Sequence, residues 1–340
     1  MGREIVTSMD VARQAGVSQS AVSRVFTPGA SVSGPMREKV MSVARELGYR
    51  PNVLARSLIT GRSRIIGLVV SYLDNQYYPV ALEKLSHALQ ECGYHVLIFM
   101  AGPTSGDFET VLEEILGYQV DGIVMASVSM SSDLTYRCAD EGIPVVLFNR
   151  TQDEGRFSAV TSDNEAGGRK LAEFLVAGGH RRIGYIAGWE GASTQRDREA
   201  GFRAGLAAAG RELHAREVGS YDFEQAKIAA RRMFAAADPP DAVFIANDHM
   251  AIAAMDVMRY ELGLKIPEGV SVVAYDDVPM AAWPSYDLTT VRQPTNRMVE
   301  AVVEALLAGI EKGDTKPRRV SFAGPLMIRG SARKPQEDHR

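Results

Sequence analysis

Thiols are nearly absent from this chain of 340 residues, which carries only Cys92 and Cys138. One pair cannot build a disulfide framework, and their separation matches no metal-ligand spacing. Long apolar runs are missing too. Nothing approaches the ~20 apolar residues that span a bilayer, and the opening MGREIVTSMDVARQAG lacks the apolar block of a secretory leader. The expectation is a cytoplasmic protein with no membrane partner. Catalytic signatures are equally scarce. No G-x-G-x-x-G follows the first apolar run, and there is no phosphate loop, H-E-x-x-H or G-x-S-x-G. The six histidines (His87, His95, His180, His214, His249, His339) show no cluster spacing. These absences argue against an enzyme, and no catalytic residue, metal or cofactor is expected.

What is present is an ordinary globular composition, 46% hydrophobic and 24% charged, in a chain long enough for two or three domains. The net charge of -4 hides an asymmetry. Residues 1–64 hold ten Lys/Arg against four acids, net +6, and the remainder holds 28 against 38, net -10. A basic head on an acidic body points to a polyanionic partner for the head alone.

The head reads as three short helices. Thr7 or Ser8 can cap the first, which stops at Gly16, and Ser18 can cap the second. In the second, Ala21, Val22, Val25 and Phe26 form one face, and Gln19, Ser20, Ser23 and Arg24 the other. A third places Met36, Val40, Val43, Ala44 and Leu47 in one stripe before Gly48. Helix, AGVS turn, helix is the arrangement that lays its second helix in the DNA major groove. There Gln19 suits adenine and Arg24 suits guanine. A small helical bundle with a solvated polar face would show the same amphipathicity. The turn, the third helix and the local +6 charge favour DNA. Beyond it, PNVLARSL (51–58) has a helix start at Pro51 and a stop at Gly61, but is too short to be stable alone.

From residue 64 onward apolar runs alternate with helical stretches. Strands are expected at 65–70, 95–100, 122–126, 145–148, 183–187, 242–246 and 270–275. Helices are expected at 79–92, 107–117, 164–178, 196–210, 223–237, 248–262 and 294–312. Such alternation implies parallel, doubly wound sheets, and the length suits two of them. Ligands then bind beyond the carboxyl ends of the strands. A solute-binding protein would share this two-lobed core, but it leaves the basic head unexplained.

VTSMDVARQAGVSQSAVSRVF followed by VMSVARELGYRPNVLARSL resembles the DNA-binding head of the lactose repressor/galactose repressor (LacI/GalR) family of bacterial transcription factors. TSDNEAGGRKLAEFLVAGGHRRIGYIAG, RDREAGFRAGL, AVFIANDHMAIAAM and VSVVAYDDVPMAAWPSYDLTTVRQP resemble its sensor core. The resemblance implies an all-α helix-turn-helix head (1–50) and a hinge helix with linker (51–63). A two-lobed, periplasmic-binding-protein-like core of two parallel sheets (64–335) and a tail (336–340) follow. The lobe near DNA takes 64–163 plus 292–324, and the distal lobe 164–291 plus 325–335, with crossings near 163, 291 and 324. DNA contacts fall on Ser18, Gln19, Ser20, Ser23 and Arg24 of the head. In the hinge they fall on Asn52, Ala55, Arg56 and Leu58, with Leu58 wedged in the minor groove of a double-stranded operator. Ile59 stands where some relatives have Lys.

The strand-end loops and the resemblance together place effector contacts at Tyr77, Tyr78, Thr194, Arg198, Phe223, Asn247 and Asp276. Aromatic faces, a guanidinium fork and hydroxyl partners suit a sugar, polyol or sugar acid. Ala192, where purine-binding relatives carry Arg, argues against a nucleobase. The expected protein is a transcriptional regulator, a repressor whose operator affinity a small effector switches, with induction as the sign. Control by a co-repressor or a protein partner is the alternative. A homodimer is expected, with Leu82, Leu85 and Leu89 as the apolar edge across the twofold axis. The tail SARKPQEDHR has no leucine heptads and so no tetramer is expected.

Overall fold

Thr7 opens the first helix, α1 (Ser8–Ala15), with a reciprocal pair. Its hydroxyl accepts from the Asp10 N–H (3.4 Å), and Asp10 accepts from the Thr7 N–H (2.9 Å). This capping box satisfies donors that the first turn leaves free. Gly16 closes α1 in the left-handed region (φ 60), and Ser18 caps α2 (Gln19–Val25) by accepting from the Ala21 N–H at 3.2 Å. The third helix, α3 (Gly34–Leu47), ends at Gly48 (φ 68). Val11, Ala15, Val22, Val25, Val40 and Ala44 are buried between the three, and the Phe26 and Tyr49 rings meet edge-on at 5.6 Å.

The computed structural model describes residues 6–27, 29–50, 62–101, 105–126, 137, 141–152 and 155–335. The expected hinge contacts Asn52, Ala55, Arg56 and Leu58 lie outside the described residues, as does the tail 336–340. The chain divides into two compact units, Met1–Ser63 and Arg64–Arg340.

The second unit holds two six-stranded sheets. The first contains β1 (Ile65–Val70), β2 (His95–Met100), β3 (Gly122–Ala126), β4 (Val145–Phe148), β5 (Ser158–Ser162) and β11 (Arg319–Phe322), in the order β11-β5-β4-β3-β1-β2. The second contains β6 (Ile183–Ala187), β7 (Ala215–Val218), β8 (Ala242–Ile245), β9 (Ser271–Asp276), β10 (Thr289–Arg292) and β12 (Leu326–Met327), in the order β12-β10-β9-β8-β6-β7. Every pairing is parallel except β10 with β12. The central strands β1, β3, β4, β8 and β9 are apolar runs because helices cover both faces.

The helices are α4 (Tyr77–Glu91), α5 (Ser105–Gly117), α6 (Asn164–Ala177), α7 (Ser193–Ala208), α8 (Phe223–Phe234), α9 (Asp248–Asp256) and α10 (Thr295–Lys312), with a π turn at Val257–Glu261 after α9. The chain crosses between sheets three times: after Ser162, between Arg292 and Thr295, and between Phe322 and Leu326. Leu82, Leu85 and Leu89 are not an open edge. They are buried (6%, 0% and 0% exposed) in the core of their own chain, because α4 packs against β2 and α10.

Candidate functional site

Two sets of side chains stand out, one in each unit. In the head, Ser18, Gln19, Ser20, Ser23 and Arg24 are all exposed on α2, while Val22 and Val25 bury the opposite face. The Gln19 amide donates to Ser8 Oγ at 2.9 Å, which ties the start of α2 to the start of α1, and the Ser18 and Ser20 hydroxyls meet at 2.9 Å. An exposed row of amide, hydroxyl and guanidinium groups at a helix start is what base edges in a major groove require.

In the core, the carboxyl ends of strands from both sheets converge on a narrow cavity of about 10 Å³, room for one water. The first sheet contributes Tyr72 and Asn75 after β1, Tyr78 in the first turn of α4, and Asn149 and Arg150 after β4. The second contributes Thr194 and Arg198 on α7, Tyr221 after β7, Asn247 after β8 and Asp276 at the end of β9. Five of the seven expected contacts are therefore brought together: Tyr78, Thr194, Arg198, Asn247 and Asp276.

The other two are placed elsewhere. Tyr77 does not line this cavity. It lines a neighbouring groove with Lys84 and Gln293, lies parallel to Phe148 at 6.3 Å, and its hydroxyl faces Met298 Sδ at 3.9 Å. Successive residues of a helix point about 100° apart, so α4 can aim only one of the two tyrosines inward. Phe223 packs on the His249 ring at 5.5 Å with the Lys227 ammonium over its face at 4.9 Å. As the first residue of α8 it turns away from Tyr221, which takes the aromatic position beside Arg150 (5.7 Å from guanidinium to ring).

Arg198 is the centre of the wall, and three of its five donors are already engaged. Nε donates to Asn164 Oδ1 (2.9 Å), Nη1 to the Ala246 carbonyl (2.6 Å) and Nη2 to Asp276 Oδ1 (3.1 Å). The guanidinium lies on the Tyr275 ring at 3.8 Å. Burial works against its charge, but Asp276 and the surrounding phenols outweigh it and hold its pKa above the usual value. Burial holds the Asp276 carboxyl above the usual carboxylate range, and Arg198 and Gln293 offset this only in part. With Arg198 and the Gln293 amide (2.7 Å) both donating to Oδ1, the geometry serves the ionised carboxylate. Burial also pushes the Tyr275 hydroxyl up to about 12, so it stays a neutral donor. Arg198 and Asp276 thus form a rigid internal pair rather than an open fork.

Asn247 is oriented by capping. Its Oδ1 accepts from the Met250 N–H at 3.0 Å to start α9, which leaves Nδ2 buried with no partner. Asn149 Oδ1 is likewise buried and unpartnered. Arg150 donates to the Thr194 hydroxyl, which in turn meets the Tyr221 hydroxyl at 3.3 Å. Tyr72, Asn75, Asn149, Arg150 and Tyr221 are additions to the expected set. FNR after β4 is a strand-end loop of the kind that pointed to the other candidates, so its signal was in the sequence, whereas SYD follows β7, a strand not among those expected. Among the described residues no group of three or more His, Cys, Asp or Glu could hold a metal, and no helix is long and apolar enough to cross a membrane.

A helix-turn-helix head followed by two parallel sheets with polar side chains converging between them defines a DNA-binding regulator with a ligand-sensing core. Residues 7–52 match the bacterial regulatory proteins of the lacI family, and residues 172–332 match a periplasmic binding protein-like domain. The HTH-type transcriptional regulator CelR of Thermobifida fusca is 34% identical, over 94% of this chain and 96% of its own. The ribose operon repressor of Escherichia coli K12 is 30% identical, over 96% and 100%. Among solved structures, a CelR–cellobiose complex aligns with TM-score 0.74 at 32% identity, over 96% of this chain and 100% of that one. The lac repressor dimer bound to operator and the anti-inducer ONPF aligns with TM-score 0.87 at 27% identity, over 96% and 99%. The chain belongs to the lacI family of bacterial regulatory proteins. It is a DNA-binding transcriptional regulator, not an enzyme.

Proposed function

We propose that this regulator is a cytoplasmic, homodimeric repressor whose operator affinity is switched by a small polyhydroxylated effector held between the two sheets of its core. The observation that carries this reading is the convergence of ten polar and aromatic side chains from both sheets on one cavity. Residues from two lobes around one ligand let that ligand discriminate between lobe angles, which differential binding requires. The relatives support the class: one is named as a complex with cellobiose and another as a ribose operon repressor.

On DNA, α2 supplies the base contacts, with Arg24 and Gln19 as the specific readers and Ser18, Ser20 and Ser23 as shorter partners. Asn52, Ala55, Arg56 and Leu58 serve as hinge contacts. A twofold dimer would present two copies of α2 to a pseudo-palindrome. Large exposed apolar side chains suited to self-association are Ile98 and Met100 on the edge strand β2 and Tyr260 and Trp283 around the second sheet (50–80% exposed). The lac repressor structure is named as a dimer on its operator.

The test is operator binding with and without candidate effectors. A selected pseudo-palindromic operator should bind the purified protein, and sugars or sugar acids that raise its melting temperature should release it. If a compound stabilises the protein yet leaves operator affinity unchanged, effector control fails. If it tightens binding instead, the protein is co-repressed.

A further inference from the structure

Among the described residues, Arg150 is the arginine lining the effector cavity that forms no ion pair, whereas Arg198 is paired with Asp276. The Arg150 side chain is buried (8% exposed). Its contacts are the Thr194 hydroxyl and the Tyr221 ring, both neutral. Among the described residues the only acid lining the cavity is Asp276, which Arg198 and Gln293 already engage through its Oδ1. A guanidinium cannot shed its proton in a protein. The described residues of the cavity wall therefore carry two cations against one anion, with the excess positive charge at Arg150. A buried charge without a counter-ion is unfavourable, and solvent reaches this one poorly. Asn247 adds a second, independent pointer. Its capping role commits the oxygen and leaves an amide donor, 1% exposed, facing the same cavity with no acceptor.

We infer that the effector is a monocarboxylate, a sugar acid rather than a neutral sugar, with its carboxylate received by Arg150. This rests on the proposed effector role of the cavity. The acid group supplies the missing charge, and charge-assisted hydrogen bonds from a planar guanidinium to a carboxylate are stronger than those to a hydroxyl. Asn247 Nδ2 donates to a ligand oxygen, and Asn149 Oδ1, buried without a partner, accepts from a ligand hydroxyl. Arg198 is not the anion receptor, because Asp276 neutralises it. A phosphate ester, carrying close to two charges at neutral pH, would overcompensate the single excess cation of this small cavity.

The experiment compares matched ligands on the full-length protein: glucuronate, galacturonate and gluconate, each against its parent neutral sugar and the corresponding sugar phosphate, by calorimetry and thermal melts. At least one acid should bind ten-fold or more tighter than both its parent sugar and its phosphate. Arg150→Gln should abolish that preference, and Arg150→Lys should keep part of it. A readout without any ligand is the melting temperature of Arg150→Met, expected to rise because an uncompensated buried charge is removed. A fall in that temperature would make Arg150 a structural residue and overturn the inference. Tighter binding of a neutral sugar or a phosphate would overturn it while leaving the effector cavity intact. If no compound of any class binds, the effector reading falls with it.

Discussion

At the scale of single residues, the cavity wall depends on two glycines that are not in it. Gly168 on α6 and Gly201 on α7 let these helices approach backbone to backbone. A Cβ on Gly168 would stand 2.2 Å from the Arg198 carbonyl oxygen, and one on Gly201 2.0 Å from that of Glu165. Neither obstacle is a flexible side chain that could swing away. The close approach brings Asn164, the first residue of α6, within 2.9 Å of Arg198 Nε. Gly201→Ala should therefore destabilise the core by about 1–3 kcal/mol or more, as overpacking does, and should weaken effector binding by displacing Arg198. Gly117→Ala, at an exposed position with nothing within 4 Å of the added atom, is the control that should leave both unchanged. Chemical denaturation of the two variants checks this, and equal midpoints would contradict it.

At the scale of elements, strands with a continuous apolar run were legible, central or, like β2, at an edge, and strands without one were not. The expected runs at 65–70, 95–100, 122–126 and 145–148 coincide with β1 to β4, since each is an uninterrupted apolar stretch. Four of the five unread strands betray themselves less. SAVTS of β5 contains one large apolar residue, AREV of β7 and RVSF of β11 are edges that alternate with charge, and LM of β12 has only two residues. TTVR of β10 is buried through threonines, whose hydroxyls find partners such as Asp248 at 2.7 Å. The cavity followed the same logic. Loops after legible strands were read, except for Tyr72 and Asn75 after β1 and FNR after β4, whereas Tyr221 follows an edge strand that composition does not mark. The recognition helix was legible because seven residues sufficed to show both faces. Of its exposed side chains Arg24 has the longest reach and carries the charge. Arg24→Ala should cost about 1–3 kcal/mol of operator affinity and relax the preference for one guanine per half-site. Binding-site selection with the variant measures this, and an unchanged selected motif would remove Arg24 from base reading.

At the scale of the whole molecule, the effector cavity and the sheet crossings meet at two adjacent residues. Asp276 ends β9 with φ 124 and faces Arg198; Asp277 follows with φ 56 and turns the other way. Both conformations are unusual for residues other than glycine, and such positions persist where surrounding contacts over-determine them. For Asp277 those contacts are two guanidinium groups. Its carboxylate, 4% exposed, accepts from Arg292 Nε and Arg329 Nη2, each at 2.6 Å. Arg292 is the last residue of β10, immediately before the chain crosses to the first sheet, and Arg329 follows β12, just after it has crossed back. One carboxylate thus fastens two of the three crossings next to the residue that completes the effector wall. An effector that shifts Asp276 would be felt at both. Asp277→Asn keeps the size of the side chain but removes its charge, so both arginines lose a charge-assisted partner. We expect the variant to fold with modestly lower stability, since Arg292 is half exposed and its bond is partly screened. We expect it to retain effector binding and operator binding measured separately. What it should lose is the ratio between operator affinity with and without effector, which is the coupling free energy. Fluorescence anisotropy on labelled operator, titrated at zero and saturating effector, reads that ratio directly. A variant whose ratio matches that of the parent protein would show that lobe angle reaches the head by a route that bypasses these crossings.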